Sequence, residues 1–268
     1  MAAETFSKIM GIVNVTPDSF SDGGLHYSPQ AAIEHALGLV RDGADILDIG
    51  GESSRPGAMP ISAQEECDRV LPVIEGLKAA GCSLPISIDT VKYEVASKAI
   101  QAGASMINDV SGLMHDVLLA RLAAEKKVPL IIMHSQGSPA TMQNNPQYKN
   151  VVKDVLAELK GKVAIARSFG AKDIILDIGI GFGKTAEHNW QLLHALPSFQ
   201  SLGYPLLLGI SRKAFLGSTL NIEKPADRDT ATALLHALLL DSGMSIIRVH
   251  NVAMLNQLRI LKQRLQQG

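Results

Sequence analysis

The sequence predicts an α/β fold, a (β/α)8 (TIM) barrel spanning residues 1–268 as a single domain. Three observations carry this. Eight short apolar runs lie at 9–13, 46–49, 86–88, 105–107, 130–133, 174–176, 206–210 and 246–249. Most do not alternate and favour Ile, Val and Leu, as parallel strands buried on both faces do. Segments of helical pattern separate most of them, and a helix–glycine–strand junction recurs as DGADILDIG, AGASMINDV, FGAKDIILDIG and SGMSIIRVH. A doubly wound open sheet is the main alternative and would need fewer strands. No linker-like stretch or composition shift divides the chain.

After the first strand comes a long polar segment, 14–29, reading NVTPDSFSDGGLHYSP. Ser28 and Pro29 open the first helix as N-cap and first-turn proline, and Gly43 closes it. The second strand leads into 50–62, GGESSRPGAMPIS, and Ser62-x-x-Glu65 is a capping box for the second helix. Thr90 is placed to cap the third, which Gly103 ends. Later helices are expected at 116–126, 149–168, 187–200, 226–241 and 252–266. The loops after strands 1 and 2 are long enough to read as mobile and functional. An Arg-Pro step, Arg55-Pro56, together with Phe20, suggests a substrate lid.

Composition narrows the partners. Of 268 residues, 46% are apolar and 19% charged, with a net charge of −1. That supports a sizeable core and argues against nucleic-acid binding, which needs clustered excess cations. No apolar run of ~18 residues exists for a membrane span, and MAAETFSKIM has no apolar signal core. Cys67 and Cys82 form neither a disulfide framework nor a zinc motif. A soluble, cytoplasmic protein is expected. GIGFGKT (179–185) imitates a phosphate loop, but the first glycine of that motif would fall on Ile178, so it reads as a flexible loop after strand 6.

Chemistry in such a barrel sits at the C-terminal strand ends. Here these ends carry Asn14, Asp48 with Glu52, Asp89, Asn108 with Asp109, His134, Asp177, Ser211-Arg212-Lys213 and Arg248-x-His250. Helix capping accounts for single Asp or Thr residues. It does not account for Arg and Lys, which helix N-termini disfavour, so an anionic ligand is expected.

The motifs NVTPDSFSDGG, GGESSRPGA, SIDT, IND, MHSQGSPATMQ, GFGK, SRKAFLG and IRVH, in this order, resemble the dihydropteroate synthase family from about Lys8 to the last helix. The resemblance implies a barrel, usually dimeric, that condenses a dihydropterin-methyl diphosphate with 4-aminobenzoate. The products are 7,8-dihydropteroate and diphosphate, and the route is a dissociative substitution at the methylene. It implies help from Mg2+ and competition by sulfonamides at the aminobenzoate site. Matched position by position, it assigns Asp89, Asn108, Met133, Asp177, Gly181 and Lys213 to the pterin. Asn14, Ser54, Arg248 and His250 match the diphosphate site. Phe20, Ser54, Pro56, Lys213 and Ala214 match the aminobenzoate site. Asp22, Arg55 and Lys213 match the catalytic groups, and Asn14 and Asp22 the metal ligands. The partners it implies are these small molecules and a second copy of the chain, with no nucleic acid and no membrane.

The implied roles fit the chemistry. A pterin presents an amide and amino edge that carboxylates and an amide can pair, and Arg248 offers a planar fork to phosphate oxygens. Departures from the family pattern are Ser54 for threonine, Ala214 for serine, Ile178 for proline, Ile180 for phenylalanine and Asn251 for aspartate. The isoleucines bear on the loop around Gly181, and Asn251 on the orientation of His250. A pterin-binding methyltransferase is one rival reading, but it needs neither long loop nor Arg248-x-His250. A non-catalytic pterin-binding scaffold is another.

Overall fold

In the computed structural model, which describes residues 6–16, 28–54, 57–137 and 141–267, the apolar runs form eight parallel strands. They are β1 (Lys8–Asn14), β2 (Ile46–Gly50), β3 (Ile86–Asp89), β4 (Met106–Asp109), β5 (Leu130–Met133), β6 (Ile174–Asp177), β7 (Leu206–Leu208) and β8 (Ile246–Val249). They hydrogen-bond in chain order and close, because β1 pairs with both β2 and β8. The predicted barrel is therefore the observed fold, and the open sheet is excluded.

The first two helices begin where their caps predict. Ser28 Oγ accepts from the Ala31 amide at 3.4 Å and opens α1 (Pro29–Arg41). Ser62 Oγ accepts from the Glu65 amide at 3.1 Å and opens α2 (Ala63–Ala79). The expected reciprocal half of that capping box is not the bond Glu65 makes: its carboxylate takes Arg69 at 2.6 Å, one turn on. The expected Thr90 cap is corrected. Thr90 Oγ1 accepts from the Lys92 amide, and α3 (Tyr93–Ala102) starts later, its first amide donating to Asp116.

Next come α4 (Leu118–Lys126) and α5 (Val151–Ser168). The single helix expected at 187–200 is two, α6 (Ala186–His194) and α7 (Leu196–Gln200). The break falls at Ala195, and Pro197 sits in the first turn of α7, where its missing amide hydrogen leaves no helical bond unmade. A seven-residue helix absent from the expectation, α8 (Ala214–Leu220), follows β7. The span 226–241 resolves into a 3-10 turn, Pro225–Arg228, and α9 (Asp229–Leu238). Then α10 (Val252–Gln266) closes the chain. No described helix is long and apolar enough to cross a membrane.

The two-residue side-chain period of a strand then sorts the barrel interior into layers. Met10, Ile46, Met106, Ile131, Ile175, Leu207 and Ile246 pack together as an apolar floor, separate from the larger core between strands and helices. Two residues further along each strand the inward positions are Ile12, Asp48, Asn108, Met133, Asp177, Gly209 and Arg248, with Asp89 on β3 two residues beyond Ser87. The floor is hydrophobic and the layer above it is charged. That step positions the site.

Candidate active site

Arg248 holds the charged layer together. Its Nε donates to Asp48 Oδ2 at 2.6 Å and one terminal nitrogen donates to Asp89 Oδ2 at 2.8 Å. Asn108 Nδ2 also donates to Asp48 Oδ2, at 3.0 Å. Asp48 is fully buried, and among the described residues its second oxygen has no hydrogen-bond partner, nor has the hydroxyl of Ser87 beside it in the register. Burial drives the Asp89 carboxyl up to about 7 against the pull of Arg248. It raises Asp177 too, opposed by the Gly179 amide and by Lys213. Lys213 stands with its ammonium 4.1 Å from the centre of the Phe182 ring, and burial lowers it to about 8 while Asp177 pulls the other way.

The loop after β6 is the main correction. It was expected to be flexible. Instead Asp177 Oδ1 accepts from the Gly179 amide at 2.7 Å, and Ile178 and Ile180 are each 1% exposed, tucked into the core. The buried Lys184 ammonium donates to the Gly179 and Phe182 carbonyls at 2.8 and 3.0 Å and meets His134 Nδ1 at 2.9 Å. Gly179 has φ of +69°, and a Cβ there would stand 1.7 Å from the His134 carbonyl oxygen. Only glycine lets the two loops approach so closely. Gly181 is held between Asn189 and Gln143 through its amide and carbonyl, against the stem of Lys213. The Ile178 and Ile180 departures thus leave the loop built.

His250 lies one residue past the end of β8, so the alternation that aims Arg248 inward does not extend to it. Ser211 Oγ accepts from the His250 amide at 3.1 Å and meets its Nδ1 at 2.9 Å. We assign the hydroxyl as donor to Nδ1, the tautomer that leaves the imidazole proton on Nε2. Burial, with Arg212 and Arg248 nearby, drives its pKa to about 3. In the free protein it is a neutral N–H donor. Asn251 makes no hydrogen bond to it among the described residues. Its Oδ1 caps α10 through Met254 and its Nδ2 donates to Asp229. Arg212, counted among the cations that implied an anion, is already paired bidentately with Asp229 at 2.6 and 2.8 Å. His134 belongs to the α5 side. Its Nε2 lies 3.1 Å from Glu158 Oε2 without the alignment of a hydrogen bond.

Met133 is 2% exposed, inward and outside both apolar clusters, as a pocket wall would be. Among the described residues the side chains of Asn14 and Ser54 make no hydrogen bond, and Ala214 is exposed at the start of α8. Phe20, Asp22, Arg55 and Pro56 lie outside the described residues. A crevice of about 310 Å³ lies to one side, between His35 and Leu39 of α1 and Arg212, His250 and Asn251. His250 is the residue it shares with the site. The sequence places Asp48 and Ser211 at strand ends without giving either a role, and Phe182 carries no signal of its own. Asp48 was legible two residues beyond the inward Ile46, whereas the other two are placed by loops.

What remains unpaired defines a ligand. Asp48 and Asp177 keep carboxylate oxygens and Asn108 its amide oxygen, an acceptor-rich set for a planar group bearing several N–H donors. Above them stand Lys213, the third nitrogen of Arg248 and the His250 N–H, which suit an anion. Residues 10–250 match the model of the "Pterin binding enzyme" family. The dihydropteroate synthase of Bacillus subtilis is 47% identical over 249 residues, 91% of this chain and 83% of that protein. The structure of Xanthomonas albilineans dihydropteroate synthase with 4-aminobenzoic acid superposes with a TM-score of 0.90 at 42% identity, covering 97% of this chain and 93% of that one. The same enzyme in complex with 7,8-dihydropteroate gives 0.87 at 40% identity, covering 97% and 94%. By fold, charged layer and sequence alike, the chain belongs to the dihydropteroate synthase family of pterin-binding enzymes.

Proposed function

We propose that the protein condenses (7,8-dihydropterin-6-yl)methyl diphosphate with 4-aminobenzoate, giving 7,8-dihydropteroate and diphosphate. The observation that carries this is the inward layer of acceptors directly below a set of cations and N–H donors. Asp177, Asn108 and Asp89 receive the pterin edge, with Met133 and Gly181 as walls. Arg248, the His250 N–H and Ser54 take the diphosphate. The methylene carbon–oxygen bond breaks with its electron pair leaving on the diphosphate, and the dihydropterin ring delocalises the positive charge. The aminobenzoate nitrogen then bonds to that carbon and gives up a proton to solvent. Lys213 holds the aminobenzoate carboxylate beside the Ala214 amide. Since α8 is seven residues long, the lysine charge rather than the helix dipole does most of this. Phe20 and Pro56 are assigned to the ring of the aminobenzoate, Arg55 and Asp22 to the reacting charge. Sulfonamides would compete at the same place.

Among the described residues no group of three His, Cys, Asp or Glu could hold a metal. Mg2+ keeps several waters and takes substrate phosphates with one or two protein oxygens, so the unpartnered Asn14 amide fits as one donor and Asp22 as the other. When bound, it supplies neutralisation of the leaving diphosphate.

A homodimer is supported by the outer apolar residues of two helices packed on each other. Leu234 and Leu238 of α9 are 62% and 83% exposed, and Leu261 and Leu265 of α10 63% and 85%. Such a strip favours burial against a second copy. A glutamate in place of Leu238 would then yield monomers in sedimentation. The unpaired thiols of Cys67 and Cys82 suit a reducing compartment, and we place the protein in the cytoplasm. The functional test is diphosphate release, with Mg2+ present, that depends on 4-aminobenzoate. A methyltransferase or a binding scaffold releases none.

A further inference from the structure

Outside the pterin layer, Lys92, Glu52 and Glu66 form a buried ionic cluster. Lys92, at the start of α3, places its ammonium 2.5 Å from Glu52 Oε2 and 2.6 Å from Glu66 Oε2. Glu66 is fully buried in α2, while Glu52 stands two residues beyond β2 and keeps 21% of its side chain exposed. The other oxygen of Glu52 accepts from the Ile61 amide at 3.2 Å. One carboxylate therefore joins the two ends of the second long loop. The backbone beside it is gripped as well: Arg69 donates to the Gly51 carbonyl at 2.8 Å, and a Cβ on Gly51 would stand 2.8 Å from Val70.

An ion pair this buried is a poor source of stability, because desolvating the charges offsets their attraction. Burying two carboxylates for one ammonium is less favourable still, and one Glu66 oxygen has no hydrogen-bond partner among the described residues. What the arrangement supplies is geometry. Glu66 and Lys92 come from two helices packed on the outside of the barrel, and through Glu52 they set the direction in which residues 53 and 54 leave β2 and residues 57–60 return to α2. That segment carries Ser54, Arg55 and Pro56.

We propose that Lys92, braced by Glu66, is a positioning residue that sets the neck of the second loop through Glu52 and thereby places Ser54 against the aminobenzoate. The inference rests on the proposed reaction. It predicts that loosening the neck harms the second substrate while sparing the pterin, whose contacts come from β3, β4 and β6.

The test uses the full chain carrying both Lys92→Met and Glu66→Met. This replaces the buried pair with apolar groups of similar size, which folds tolerate, and leaves Glu52 held by the Ile61 amide alone. Steady-state kinetics should show KM for 4-aminobenzoate raised roughly tenfold or more, in line with the cost of a misplacement of about 1 Å. The Kd of 6-hydroxymethylpterin by calorimetry should stay within about twofold of wild type, since none of its contacting side chains is changed. Lys92→Arg, whose fork reaches both carboxylates, should recover most of the KM. Glu52→Gln keeps the buried Lys92–Glu66 pair and carries the same test if the double variant is insoluble, with a rise of about threefold as one of two grips is lost. An unchanged KM for 4-aminobenzoate in the variants overturns the inference, as does an equal loss of hydroxymethylpterin affinity, which marks general destabilisation. Wild-type protein that releases no diphosphate overturns the reaction itself and this inference with it.

Discussion

Replacing Arg248 by methionine tests whether the charged layer is held by its one guanidinium. The change removes two ion pairs, at 2.6 Å to Asp48 and 2.8 Å to Asp89, and leaves the fully buried Asp48 with only the Asn108 amide. Removing one partner of a buried pair costs about 3–5 kcal/mol. The lower part of that range applies here, because 21% of the Arg248 side chain remains exposed. The loss should depend on pH. Asp89 has a folded value of about 7 against 3.8 for an ordinary aspartate, so from about pH 4 to 7 the folded protein holds a proton that the unfolded chain has released. Stability falls as pH rises through that window. Without Arg248 the Asp89 carboxyl rises further, and the decline continues above pH 7. Urea unfolding should therefore show a smaller gap between variant and wild type at pH 5.5, where Asp89 is protonated in both, than at pH 8. The denaturant slope should be unchanged. A gap below about 1 kcal/mol at pH 8, or the same gap at both pH values, would refute the argument. Arg248→Lys should retain much of the stability yet weaken inhibition by diphosphate, because the planar fork is lost.

Asp177→Ala should weaken binding of 6-hydroxymethylpterin by about 1.5–3 kcal/mol, the worth of a hydrogen bond to a charged group, with the fold retained. Unchanged calorimetric affinity would remove Asp177 from the pterin site. Gly179→Ala puts a Cβ against the His134 carbonyl at a φ of +69° and should cost about 4 kcal/mol or more. A thermal midpoint equal to wild type would show that the two loops can part freely. His134, His236 and His250, held at about 2, 3 and 3 by burial, should show no imidazole titration by NMR between pH 5 and 9 in the free protein. Their unfolded forms take protons near 6.5 while the folded ones do not, so they withdraw stability as pH falls below that value. A midpoint above 5 for any of them would contradict its burial.

The sequence by itself determined the barrel and most of its parts list. Strand existence followed from unbroken Ile, Val and Leu runs, and the Ser28 and Ser62 caps from side chains that bond their own next turn; all of these are local. The helix expected at 187–200 breaks at Ala195, and Thr90 bonds the Lys92 amide without capping α3, because a single residue's preference yields to the turn around it. The aspartates and asparagine at strand ends were legible as a set, since the two-residue period carries them inward together. Only the tertiary structure decided what each charge meets. Arg248 joins Asp48 and Asp89 across 200 and 159 residues, Arg212 is taken by Asp229, and Lys184 binds carbonyls of its own loop rather than a phosphate. Lys92 ties two glutamates that no motif connects. Closing the sheet sets these partnerships, because it brings strand ends distant in sequence into one desolvated mouth, where each charge must find a partner or stay unpaired.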